Sequence, residues 1–309
     1  MTRPKVTVVG AGQVGATTAF LLLNKGISDV VMVDVAEGLP QGKALDMMHS
    51  RSVERFAPVV SGTNDHADTA GSDVVVVTAG LPRKPGMTRD DLLAANGAIV
   101  RSVIGAAVQA SPEAIVICVT NPLDVMTYLG WKVSGHPPQR IFGMGGVLDS
   151  ARFAYAIAEE TGAPIGSVEA LAIGAHGDAM VPLPRHSTVD GTPITELLAA
   201  DRVEALVERT IFGGAEVVAL LKTGSAFYAP AASVVAMVEA VLADAGAVLP
   251  SCVYLDGEYG ISDVYLSVPA ALGREGVRSV VELELDDSEL AAVRASAATV
   301  TEAVSGLGI

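Results

Sequence analysis

The chain has 309 residues, half of them apolar, with 35 acidic against 20 basic residues and a formal charge of −15. That length exceeds one ordinary core and points to two domains, or to one large domain with an appended half, while the acidity argues against nucleic acid and anionic membrane as partners, since both demand a basic face. No apolar run approaches the roughly 18 to 20 uninterrupted residues of a membrane span, and Met1-Thr2-Arg3-Pro4 leads directly into the first strand, so a cytoplasmic protein is expected.

Lys5-Val6-Thr7-Val8-Val9 reads as a buried strand and empties into Gly10-Ala11-Gly12-Gln13-Val14-Gly15, which opens a helix over 13–25. In this G-x-G-x-x-G pattern Gly10 permits a tight turn, Gly12 lets backbone approach a pyrophosphate, and Gly15 lets the helix pack closely on the sheet. Free N–H groups at the helix start face the phosphates. A second apolar run over 30–33 ends at Asp34, nineteen residues past Gly15. Its carboxylate can accept both hydroxyls of an adenine ribose and would repel a 2′-phosphate, and Val35-Ala36-Glu37 supplies no cation to hold one. NAD rather than NADP is the expected cofactor.

Further strands are predicted over 58–60, 73–77, 115–119 and 140–142, with helices over 39–50, 90–110 and 123–133. Continuous Val and Ile runs mark strands covered on both faces, as a doubly wound parallel sheet requires. Residues 79–89 carry Arg83, Lys84 and Arg89 among Gly and Pro and read as a mobile flap at the carboxyl edge of that sheet. From about Gly143 the pattern changes: a helix over 148–161, strands over 168–173 and 181–189, helices over 201–222 and 228–245, strands over 247–255 and 263–268, and a final helix over 286–304. The expected fold is α/β, a Rossmann-type NAD-binding domain over 1–143 followed by an α+β substrate domain over 144–309, with the site in the cleft between them. Cys118 and Cys252 lie in apolar runs and read as small core residues, and no metal site is indicated.

Asp149 and Arg152 stand three apart at a helix start, so both can point into one cleft. Of the five histidines, His49, His66, His136 and His186 read as surface or structural, whereas His176 follows an apolar strand within Gly174-Ala175-His176-Gly177-Asp178, where glycines leave an imidazole accessible.

With these motifs in order, and with Gly80 to Leu93, Thr120-Asn121-Pro122-Leu123-Asp124 and Gly146-Val147-Leu148-Asp149-Ser150-Ala151-Arg152 beside them, the whole chain resembles the lactate and malate dehydrogenase family, in particular its malate dehydrogenases of lactate-dehydrogenase-like type. The resemblance implies NAD-dependent hydride transfer between (S)-malate and oxaloacetate, a step of the tricarboxylic acid cycle. It makes His176 the acid-base that takes the C2 hydroxyl proton while hydride passes to nicotinamide C4, and Asp149 the carboxylate that orients the imidazole and stabilises its charged form. Arg152 would grip the C1 carboxylate through two parallel hydrogen bonds, and Arg89 would polarise the C2 oxygen on flap closure. Asn121 is assigned to that oxygen or to the nicotinamide side, and Ser225 to the pocket wall. Gln13, Val14, Thr78, Ala79, Gly80, Asn96 and Val119 join the glycines, Asp34 and Asn121 as cofactor contacts.

The choice of acid rests on Arg83. A C4 dicarboxylate carries a second charge that needs a cation once water is excluded, and by resemblance this position is arginine in malate enzymes and a neutral residue in lactate enzymes. The competing reading makes Arg83 a solvated charge and Lys84 the important one. Alternatives for the whole chain are an L-lactate or other 2-hydroxy acid dehydrogenase, and a nucleotide-binding sensor without turnover, which Asp149, Arg152 and His176 together argue against. The family implies a homotetramer, or alternatively a homodimer. Fourteen of the twenty basic residues are arginine, and such an acidic, lysine-poor surface suits either concentrated salt, where screening over about 3 Å at 1 M cancels self-repulsion, or an ordinary acidic bacterial enzyme.

Overall fold

The computed structural model describes residues 3–81 and 89–306, without the side chains of Arg89 and Asp90. The first half alternates strand and helix: β1 (Lys5–Val9), α1 (Gln13–Asn24), β2 (Asp29–Val33), α2 (Leu39–Glu54), β3 (Val60–Thr63), β4 (Val74–Val77), α3 (Arg89–Ala110), β5 (Ile115–Cys118), α4 (Leu123–Ser134) and β6 (Ile141–Gly143). Its strands pair in parallel in the order β3-β2-β1-β4-β5-β6. The order reverses between β1 and β4, which opens a crevice beyond their carboxyl ends where ligands bind in such sheets. β4 is four valines, each at most 1% exposed, as a strand covered on both faces must be.

The second half comprises α5 (Gly146–Thr161), β7 (Val168–Glu169), β8 (Ala172–Gly174), β9 (Met180–Pro182), β10 (Thr188–Val189), β11 (Thr192–Pro193), α6 (Ile194–Leu197), α7 (Ala200–Leu221), α8 (Tyr228–Ala243), β12 (Ala247–Asp256), β13 (Ser262–Gly273), β14 (Gly276–Val280) and α9 (Asp287–Ser305). Apart from a small three-stranded sheet of β7, β10 and β11, its strands do not form a sheet of their own. β12 pairs antiparallel with β6 through Cys252 and Gly143, and the ladder continues through β13 to β8 and β9. The two halves therefore share one sheet and one core, in which Val8, Ile117 and Phe142 belong to the same packed cluster as Val253, Leu266 and Val268.

The second half also departs from the predicted elements. The strand expected over 168–173 is two, because β7 pairs with β10 in a small separate sheet while β8 joins the main one. The strand expected over 181–189 is interrupted by a helical turn at Pro184–His186, since proline has no N–H to continue a ladder. β3 lies later than predicted, β13 runs twice as long as expected, and β14 was not anticipated. Within α3, Asp91–Ala110 is long and apolar enough to span a membrane by length and composition. Asn96 and Arg101 interrupt that run, and Val100, Ile104 and Ala107 are buried in the core.

Candidate active site

β1 delivers Gly10 at φ +102°, where a Cβ would lie 2.8 Å from the Ala79 nitrogen; a Cβ on Gly15 would lie 1.9 Å from the Gly10 carbonyl oxygen. Neither position has room for a side chain. Gly12 differs, because its Cβ would meet open space. It is the N-cap of α1, and among the described residues no side chain caps the N–H groups of that first turn, which includes Gln13, Val14 and Gly15. Open space in front of uncapped donors is an anion cradle, and a pyrophosphate fits it. Asp34 accepts the Ala11 N–H at 2.6 Å and the Ala36 N–H at 2.9 Å. Those bonds aim a carboxylate that keeps free lone pairs for ribose hydroxyls. On the other side of Ala11, the Lys43 ammonium donates to the Ala11 carbonyl at 2.7 Å. Sequence reasoning missed Lys43 because it reaches the loop from α2 rather than from the segment next to Asp34.

The remaining predicted cofactor residues gather at the same sheet edge. Thr78 Oγ1 donates to the Gly10 carbonyl at 3.0 Å. Asn96, only 1% exposed, accepts the Leu81 N–H at 2.8 Å and donates to the Asn121 carbonyl at 2.7 Å, so it ties the chain after β4 to the chain after β5. Thr120 Oγ1 donates to the Ala79 carbonyl, Val119 bonds back to Val77, and a Cβ on Gly80 would strike the Thr120 methyl at 2.5 Å.

Across the crevice, α5 starts hard against β12, since a Cβ on Gly146 would lie 2.8 Å from the Pro250 carbonyl oxygen. This close approach places Asp149, 2% exposed, in the first helical turn, where the helix dipole favours a carboxylate. Asp149 Oδ2 is 2.9 Å from His176 Nδ1, and its Oδ1 accepts from Arg152 Nη1 at 3.1 Å. His176 is delivered by β8 through Gly174 (φ +88°) and precedes Gly177 (φ +115°), so the glycine flanks serve backbone geometry as well as access. With Nδ1 facing Asp149, Nε2 is the nitrogen left for a ligand. Burial pulls the imidazolium down, but the Asp149 carboxylate, with Asp124 behind it, outweighs burial and holds the His176 pKa above its ordinary value despite Arg152. Arg152 lies along Gly213 and Gly214 of α7, whose Cβ atoms would approach it to 3.3 and 3.4 Å. Paired glycines inside a helix cost roughly 1 kcal/mol each relative to alanine, and here they make room for a guanidinium. The sequence signal was that helical pair, which pattern reading passed over.

The structure thus unites His176, Asp149 and Arg152. Asn121 is exposed three residues past β5, and Ser225 is exposed between α7 and α8, with no hydrogen bond to that trio among the described residues. Arg83 lies outside the described residues, as does the side chain of Arg89, whose backbone begins α3.

The lactate/malate dehydrogenase NAD binding domain model matches residues 4–143, and the alpha/beta C-terminal domain model of the same family matches residues 146–306. The chain belongs to the lactate/malate dehydrogenase family. Along 99% of both chains it is 51% identical to a malate dehydrogenase of Roseiflexus sp. (strain RS-1). The malate dehydrogenase structure of Cryptosporidium parvum superposes with a TM-score of 0.96 at 42% identity, covering 99% of each chain. A lactate dehydrogenase structure from Cryptosporidium parvum, complexed with lactic acid and nicotinamide adenine dinucleotide, also gives 0.96, at 40% identity over 100% of this chain and 99% of that one. The fold is common to both activities within the family, so backbone shape does not choose between them.

Proposed function

We propose that this family member is an NAD-dependent malate dehydrogenase, interconverting (S)-malate and oxaloacetate. The observation that carries the reading is the buried Asp149–His176 pair with Arg152 on the same carboxylate, in a chain about half identical to malate dehydrogenases along its full length. Residues 1–143 are assigned to NAD and 144–309 to the substrate.

Bound NAD supplies the hydride acceptor. The chain's own residues do the rest. His176 Nε2 takes the C2 hydroxyl proton in oxidation and returns it in reduction. Asp149 fixes the tautomer by accepting Nδ1–H and offsets the positive charge that forms on the ring. Arg152 has guanidinium N–H groups beyond the one bonded to Asp149, and these hold the C1 carboxylate, which sets the face of C2 presented to the cofactor. Arg83 is assigned to the C4 carboxylate, Arg89 to the C2 oxygen, and Asn121 and Ser225 to the pocket.

An uncompensated buried charge costs several kcal/mol. NADH oxidation with oxaloacetate is therefore expected to exceed that with pyruvate by roughly a thousandfold in kcat/KM, and R83Q to erase most of that ratio. A wild type that prefers pyruvate would overturn the malate assignment; an R83Q enzyme with unchanged preference would overturn the role of Arg83.

We further infer a homotetramer working in the cytoplasm. Exposed Leu45 and Val53 on α2, Phe212 and Leu220 on α7, and Tyr228 on α8 support association, being large apolar groups left uncovered in one chain. Light scattering is expected to show four copies in molar KCl and fewer at low salt, where the acidic chains repel. A monomer in both would remove the inference.

A further inference from the structure

Beneath His176 lies a carboxylate that the mechanism above does not use. Asp124, in the first turn of α4, is 4% exposed. Its Oδ2 accepts the backbone N–H of His176 at 2.9 Å, and its Oδ1 accepts the thiol of Cys252, from β12, at 3.3 Å. Both partners are neutral, one an amide and the other a thiol, so the carboxylate is buried without a bonded cation among the described residues. Burying such a charge is costly, and the effect is visible in Asp124 itself, whose pKa is pushed up to about 6, chiefly by desolvation and against the pull of His176 and the bond from Cys252. A folded-state pKa above the unfolded value means that ionised Asp124 weakens the fold above about pH 6, and that this cost disappears as the pH falls towards the unfolded value. A group that only braced the loop would do so better as an uncharged amide.

We propose that Asp124 is a positioning residue for the proton carrier: it anchors the His176 backbone and supplies a second negative charge that favours the imidazolium. The inference rests on the reading of His176 given above. Among the described residues, the titratable and charged groups acting on the pair are Asp149 and Arg152 from α5 and Cys252 from β12. Asp149 binds the ring directly and Arg152 opposes protonation; Asp124 therefore adds to the first and offsets the second. Cys252 contributes its S–H and no charge, because burial raises its own pKa well above the thiol range.

The test is Asp124→Asn. The amide oxygen can still accept the His176 N–H and the amide nitrogen can donate to the Cys252 sulfur, so the variant removes charge and keeps shape. The pH profile of kcat/KM is measured for the 2-hydroxy acid that the wild type oxidises best, which keeps the result independent of the substrate assignment. The limb on which His176 loses its proton is expected to move to lower pH by about one pH unit, the low end of what an opposite charge nearby produces. The reduction kcat at pH 7.5 should fall several-fold, NADH affinity should hold, and the melting temperature at pH 7.5 should be no lower than that of the wild type. A limb that stays in place while the melting temperature drops would overturn the proposal and leave Asp124 as a brace. Should this variant fail to fold, Cys252→Ala withdraws the thiol donor, makes Asp124 easier to protonate, and is expected to move the same limb in the same direction by less. In that case an unmoved limb in C252A would overturn it.

Discussion

At the scale of single residues, the site depends on how charges are shared over a few ångströms. Asp149 divides its two oxygens between His176 and Arg152, so one buried carboxylate orients both the side chain proposed to carry the proton and the one proposed to grip the substrate anion. The raised pKa of His176 has a definite consequence. In the role proposed for His176, oxidation requires the neutral ring, so kcat/KM for the hydroxy acid is expected to rise as pH passes upward through that pKa, with a midpoint above the ordinary histidine value; reduction requires the imidazolium and is expected to fall over the same range. Much of this was legible in advance. His176 was separable from four other histidines by its glycine flanks, and Asp149 and Arg152 by their spacing on one helix. Asp124 and Lys43 were not assigned, because a buried carboxylate and a lysine reaching in from another helix acquire their partners only through tertiary packing.

At the scale of elements, the first half of the fold was read closely and the second half loosely. Val74 to Val77 and Ile115 to Cys118 are strands of a sheet covered on both faces, and continuous apolar runs announce that environment directly. The interrupted stretch from Val168 to Val189 serves two sheets in short pieces, and pairing partners that lie far along the chain leave little local trace. The glycine loop divides into two kinds of position, which makes it testable. Gly15→Ala drives a methyl into the Gly10 carbonyl, so it is expected to cost about 1–3 kcal/mol of stability by overpacking as well as NADH affinity. Gly12→Ala points its methyl into open space in front of α1, so it is expected to melt as the wild type does and still bind NADH weakly. Thermal melts alongside NADH fluorescence titrations check both. A G12A protein with full NADH affinity would contradict the assignment of that space to the pyrophosphate.

At the scale of the whole molecule, one sheet runs from the nucleotide half into the substrate half through Cys252 and Gly143, so the glycine loop and the His176 trio are held by a common frame. The two family-model matches, 4–143 and 146–306, meet at that junction. Net charge works against the chemistry, because a molecule of charge −15 must admit a negatively charged acid, and arginines local to the crevice have to reverse the field there. The proposal that His176 carries the proton for hydride transfer in this setting is tested by His176→Asn. NADH fluorescence reports binding, and turnover is followed across pH with oxaloacetate and malate. NADH is expected to bind as in the wild type, kcat to fall by about two to four orders of magnitude, and the histidine limb to disappear from the pH profile. Turnover that survives intact with the same pH dependence would contradict it.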